Sequence, residues 1–169
     1  MLEVGTTGVF RDGTKSDAYL RLMVEELMPF IATHYAVTTE ATNTFLMESS
    51  QGATISVNAL IQSPDYFEGV AAMSTHWLGS FGIDHLFDRD LENPVPALFY
   101  KYRRENLPAP GRLKFYFDHG TKTFDSLCPS YQRQVDSIME ETKYGGENWM
   151  IYRPRGGSHF RSLGVKDSI

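Results

Sequence analysis

Ser50 stands where a serine can become a nucleophile. The apolar stretch Thr44-Phe-Leu-Met47 reads as a short strand, Glu48-Ser-Ser-Gln-Gly52 as a turn, and residues 53–63 as a helix. A serine on a strand-to-helix turn, with a glycine two residues later, has the form of a nucleophile elbow. The tight turn projects the hydroxyl away from the backbone. The first N–H groups of the helix behind it can stabilise negative charge. The usual pattern is G-x-S-x-G, and here Glu48 replaces its first glycine. A glutamate crowds the turn and brings a charge near the hydroxyl. The remaining S-x-G is weak alone, because serine–glycine clusters also mark ordinary turns.

A serine hydroxyl is a poor nucleophile near neutral pH. It needs a base within hydrogen-bond reach, and the base needs an acid to hold its tautomer. The candidate bases are His159, His119 and His76, and the candidate acids are Asp118 and Asp125. Asp118 ends the stretch Arg112-Leu-Lys-Phe-Tyr-Phe117, the clearest strand in the chain, where it could cap or form a salt bridge. Asp125 lies beyond Gly120 and has the reach an acid needs. One known chain order for such triads is serine, then an acid after a late strand, then a histidine after the last strand. Asp125 and His159 fit that order better than His119 or His76. The bland alternative for His159 is a solvated loop histidine.

The elements that must position these groups alternate. Leu20, Met23, Val24, Leu27 and Ile31 form an apolar stripe at helical spacing, which predicts a helix from Ser16 to about Tyr35. Pro29 lies inside it and predicts a kink or an early end. Gly69 to Ser74 reads as a small-residue strand, Val95 to Asn106 as a helix, Tyr131 to Thr142 as a helix and Trp149 to Tyr152 as a last strand. Residues 76–93 read as a long loop holding His76, Trp77 and Phe81. The alternation predicts a parallel sheet with helices on both faces. Chemistry in such sheets gathers beyond the C-terminal strand ends.

Composition excludes several classes. The 169 residues suit one domain, and 41% hydrophobic with 22% charged is ordinary for a soluble globular protein. A net charge of −5 and two short arginine pairs argue against a nucleic-acid surface. The lone Cys128 excludes an intrachain disulfide and a cysteine-rich zinc site, and the five histidines show no H-E-x-x-H spacing. Cys128 reads as a small buried side chain. No apolar run is long enough to cross a membrane, and the N-terminal residues lack a signal-peptide pattern. The expected location is the cytoplasm, unless an export signal has been lost with an N-terminal part.

Three pieces together carry a resemblance. They are the V-E-E-L-M-P-F-I-x-x-x-Y segment ending at Tyr35, the run Tyr116-Phe-Asp-His-Gly-Thr-Lys-Thr-Phe-Asp125 before a Tyr-Gln-x-x-Val-Asp helix, and Gly156-Gly-Ser-His159. In order and spacing they resemble the Putative esterase family of α/β-hydrolases, the group that includes esterase D and enterochelin-esterase-like proteins. The resemblance spans residues 18–160. It implies ester hydrolysis by Ser50, Asp125 and His159, with the backbone N–H of Gln51 as one oxyanion donor and no metal or organic cofactor. His76 and Trp77 would line the pocket for a small ester, although core packing is the stronger expectation for Trp77.

The departures are informative. Family members continue after the histidine with an acid and a long helix, whereas this chain continues Phe160-Arg-Ser-Leu-Gly. The full fold has roughly eight strands, and this chain shows about four, as in its C-terminal half. The expectation is a single truncated α/β-hydrolase-like domain over residues 1–169. Its strand 44–47 becomes an exposed apolar edge, which predicts a homodimer unless residues 1–10 cover it. Two other classes compete. A hydrolase-derived binding or assembly module without useful activity would fit Glu48 and the missing oxyanion loop. A flavodoxin-like binding domain would want a phosphate-binding glycine loop, and the acidic Glu48-Ser-Ser-Gln-Gly52 would repel phosphate.

Overall fold

The computed structural model describes residues 18–78, 95–154 and 156–157. Helical backbone from residue 18 passes through a π-helical segment, Leu22–Leu27, into α1 (Met28–His34). Pro29 does not end this helix, which runs on to His34. The winding just before it is wider, with the Met28 N–H bonded to the carbonyl of Met23, and Pro29 falls in the first turn of α1. Proline is tolerated in a first turn, where its missing donor is not needed.

Four strands follow: β1 (Phe45–Ser49), β2 (Gly69–Met73), β3 (Lys114–Asp118) and β4 (Trp149–Tyr152). They form one parallel sheet in the order β1-β2-β3-β4. Between them run α2 (Ser50–Gln62), α3 (Val95–Asn106) and α4 (Cys128–Glu141). The α4 helix starts three residues before the sequence expectation, because Pro129 is a good first-turn residue rather than a barrier.

Helices on both faces were expected, and the described residues correct this. The strands step in one direction across the sheet. Parallel crossovers are right-handed, so α2, α3 and α4 all fall on the same face. Burial agrees with that geometry. Val70 and Ala72 of β2 and Phe115 and Phe117 of β3 pack against Ala53, Val57 and Leu60 of α2 and Val135 and Met139 of α4. Each such valine, leucine or phenylalanine contributes about 1.5–3 kcal/mol when fully buried. The alternate residues point the other way. Phe45, Met47, Met150 and Tyr152 are each more than half exposed, and Met47, Ala71, Tyr116 and Met150 stand level across the sheet. The architecture is α/β, a parallel sheet flanked by helices.

Candidate active site

The chain turns sharply where β1 meets α2. Ser49 is extended, with φ −122° and ψ 161°, and Ser50 has φ +57°. The left-handed region costs a non-glycine residue about 1–2 kcal/mol. Such strain persists where the surrounding structure enforces it, and it clusters at functional sites. Ser50 is the first residue of α2, a helix of 13 residues, and Gln51 is the second. N–H groups of a first helical turn lie at the positive end of the helix dipole.

Glu48 is accommodated by the other elbow glycine. A side chain at Gly52 would start 2.9 Å from Glu48 Oε2 and 3.2 Å from Glu48 Cβ. The bare Gly52 backbone therefore makes the room that Glu48 needs, while Glu48 itself stays exposed. The loop after β2 is tied to the same turn. The His76 N–H donates to the Ser50 carbonyl at 3.1 Å, and Thr54 Oγ1 donates to the His76 carbonyl at 3.2 Å. His76 is thus half-buried beside the serine.

The two candidate acids differ in environment. Asp118 ends β3. It accepts the Ser74 N–H on Oδ1 at 3.1 Å and the Tyr116 hydroxyl on Oδ2 at 3.2 Å. Burial pushes its carboxyl above the usual carboxylate range, against those two bonds. Asp125 lies in a 3-10 turn, Thr123–Leu127, and is wholly buried. Its Oδ2 accepts the Gly120 N–H at 2.7 Å and the Ser74 hydroxyl at 2.9 Å.

Gly157, beyond the neighbouring strand β4, comes up to the loop that carries this acid. Its carbonyl accepts the N–H groups of Thr121 and Lys122 at 2.9 and 3.0 Å, and the Gly156 N–H donates to Thr121 Oγ1. A side chain at Gly120 would meet the Gly157 carbonyl oxygen at 2.2 Å and Asp125 Oδ2 at 2.9 Å. Gly120, Asp125 and Gly157 therefore meet, two positions before His159. His159 itself lies outside the described residues, as does Phe81.

The other candidates have different surroundings. His119 is buried, its Nδ1 is 2.9 Å from the Gly120 carbonyl, and its Nε2 has no partner among the described residues. Trp77, offered above as a pocket residue, is a core residue. It is 1% exposed, its indole N–H donates to Gln132 Oε1 at 2.8 Å, and the Arg103 guanidinium stacks 4.5 Å above its ring. Those partners come from α3 and α4, far along the chain, and they bear out the core packing that was the stronger expectation. Cys128 is buried, and burial followed by the charge of Asp125 raises its thiol to about 12, which rules out a ready thiolate. Ser74 was missed. Nothing in Gly-Val-Ala-Ala-Met-Ser marks it, and its φ of +43° and its hydroxyl bond emerge only in the fold.

Among the described residues, no group of three or more His, Cys, Asp and Glu could hold a metal ion, and no helix is long and apolar enough to cross a membrane. A cavity of about 620 Å³ opens beside Met28, Phe45 and Tyr66. It lies at the N-terminal end of β1, opposite the end that carries Ser50.

The model of the Putative esterase family matches residues 9–125, more than half of the chain, including the serine turn and both acids. The chain belongs to the Putative esterase family. This esterase-family chain is also similar to solved structures. The enterobactin esterase of Shigella flexneri, in the presence of 2,3-dihydroxy-N-benzoyl-glycine, is 13% identical with a TM-score of 0.63. The match covers 88% of this chain and 37% of that one. A ferulic acid esterase of the anaerobic fungus Anaeromyces mucronatus is 17% identical with a TM-score of 0.61, covering 93% and 54%. The S-formylglutathione hydrolase of Staphylococcus aureus is 12% identical with a TM-score of 0.54, covering 85% and 58%. At these identities the likeness speaks for the fold, part of an α/β-hydrolase. The chain spans between about a third and somewhat over half of those structures. A search of curated protein sequences returns no match.

Proposed function

We propose that this chain carries the serine, acid and base of a carboxylic ester hydrolase acting on small or short-chain esters through an acyl-serine intermediate. The observation that carries the reading is the left-handed Ser50, φ +57°, at the junction of β1 and α2. Ser50 Oγ attacks the ester carbonyl as its proton passes to His159. The tetrahedral oxyanion forms at the start of α2, where the Gln51 N–H donates to it. Collapse of the intermediate expels the alcohol, which takes the proton from His159. Water, deprotonated by His159, then releases the acyl group and restores Ser50. Asp125 holds the tautomer of His159 and offsets its positive charge. The buried carboxylate with two donors on Oδ2 and the neighbouring Gly157 support Asp125 over Asp118 for this role. His76, beside Ser50, lines the alcohol or acyl side of the site.

The test is hydrolysis of p-nitrophenyl acetate and butyrate by wild type and Ser50→Ala. Turnover by wild type that falls by about 10³-fold or more in the variant supports the reading. Equal rates refute it. A second reading, a binding or assembly module, is favoured by one observation: the exposed row of Phe45, Met47, Met150 and Tyr152 on the open sheet face. Under either reading that face and the β1 edge suit a homodimer.

A further inference from the structure

We infer that Ser74 is a positioning residue for Asp125, an inference that rests on the Ser50, His159 and Asp125 reading above. Ser74 directly follows β2 and is 1% exposed, with φ +43°. Its backbone N–H donates to the Asp118 carbonyl at 2.9 Å and to Asp118 Oδ1 at 3.1 Å. Its hydroxyl donates to Asp125 Oδ2 at 2.9 Å. One residue thus engages both acids, by backbone on one side and by side chain on the other.

The choice of residue is informative. Glycine would adopt this φ without strain and would keep both backbone bonds. What serine adds is the hydroxyl, and the left-handed turn is what aims it at Asp125. The Gly120 N–H reaches the same oxygen at 2.7 Å. Two donors on Oδ2 fix the rotation of the carboxylate about its own bond, and so fix which way Oδ1 faces. Three neighbouring groups among the described residues are engaged elsewhere. Cys128 Sγ bonds the carbonyls of Thr75 and Phe124, Tyr116 bonds Asp118, and His119 Nδ1 lies against the Gly120 carbonyl. An acid that turns freely holds the imidazole in the wrong orientation part of the time. The cost falls on activation of Ser50 rather than on substrate binding.

The experiment compares Ser74→Gly and Ser74→Ala with wild type and Ser50→Ala in the full chain. Both Ser74 variants lack the hydroxyl. Glycine relieves the backbone strain and alanine keeps it, so the two differ in stability while sharing the lost bond. Labelling by a fluorophosphonate separates the effects: the final amplitude counts folded sites, and the rate per site reports how strongly the serine is activated. The expected result is labelling at about one-tenth of the wild-type rate per site in both variants. The kcat for p-nitrophenyl acetate should fall about tenfold, with KM within about twofold. Tenfold matches the loss of one hydrogen bond to a charged group. A lower amplitude at an unchanged rate per site, or kinetic loss in alanine but not in glycine, makes Ser74 merely structural and overturns the inference. The two readings fail differently. If Ser50→Ala hydrolyses and labels like wild type, the nucleophile assignment fails. If Ser50→Ala is inert and both Ser74 variants keep wild-type rates, only the Ser74 inference fails.

Discussion

A methyl group at Gly120 enters space that is already filled. The Cβ of Gly120→Ala would stand 2.2 Å from the Gly157 carbonyl oxygen and 2.3 Å from its carbon, and 2.9 Å from Asp125 Oδ2. Two of these atoms are backbone, so no rotamer change relieves the clash. Even a tight 3.0 Å contact requires the 156–157 backbone to retreat by about 0.8 Å. That retreat stretches the bonds from Thr121 and Lys122 to Gly157, and the alternative strains the bond from Gly120 to Asp125. Overpacking costs about 1–3 kcal/mol and each weakened bond up to about 1 kcal/mol. We expect a loss of about 2–4 kcal/mol in urea unfolding followed by circular dichroism. Because the shift separates the acid from the segment leading to His159, kcat for p-nitrophenyl acetate should fall about 100-fold in the remaining folded protein. Gly146→Ala is the control, since its Cβ meets nothing within 4 Å, and it should shift stability by less than about 0.5 kcal/mol. A Gly120→Ala protein with the wild-type urea midpoint and wild-type kcat would refute the reasoning.

Four further outcomes are expected. Ser50→Gly relieves a strained φ and should raise the stability measured by urea unfolding by about 1 kcal/mol while abolishing ester hydrolysis; unchanged or lower stability would show that the turn carries no strain. Asp125→Asn should lower kcat by about 10³-fold or more, while Asp118→Asn should retain activity within about tenfold; the reverse ranking would move the triad acid to Asp118. Asp118 also has a signature in stability. Its folded pKa lies above its unfolded value, so its contribution is fully present below the unfolded pKa of about 4 and is lost as pH rises through the folded value. Asp118→Asn should therefore gain on wild type as pH rises from about 4 towards neutral, and a constant difference in urea midpoints across that range would contradict it. Finally, the double variant Met47→Lys, Met150→Lys should shift a dimeric species to monomer in light scattering at micromolar concentration, and a wild type that is already monomeric would remove the open sheet face as a dimer surface.

Much of this architecture was legible because it is local. The four strands sit within about two residues of where apolar runs and turn residues put them, and Ser50 falls on the strand-to-helix turn that its spacing suggested. Other features were harder to read. Among the described residues, the cover of helices on one face follows from the order of strands in the sheet, which the alternation of elements does not encode. Ala71, whose neighbours Val70 and Ala72 are buried, reads like a two-sided core residue although it lies on the open face. Pro29 reads as a breaker, but the wider winding before it absorbs the missing donor. The partners that fix Trp77 in the core, Arg103 and Gln132, arrive from 26 and 55 positions away. The same holds for Ser74, whose partner Asp125 lies 51 positions on. A backbone torsion and a distant carboxylate leave no trace in a six-residue strand.

The strand order also distributes durability unevenly. Ser50 hangs on β1, which among the described residues is bonded to a neighbour along one side only, whereas Asp125 follows β3, held on both sides. Backbone amides of β1 should therefore exchange with solvent through small openings that leave β2 and β3 closed. Each such opening withdraws the serine while the acid stays in place. The chemistry would then fail under mild denaturant well before the helices lose their signal, and the fraction of molecules competent at any instant would be set by the fraying of a single outer strand.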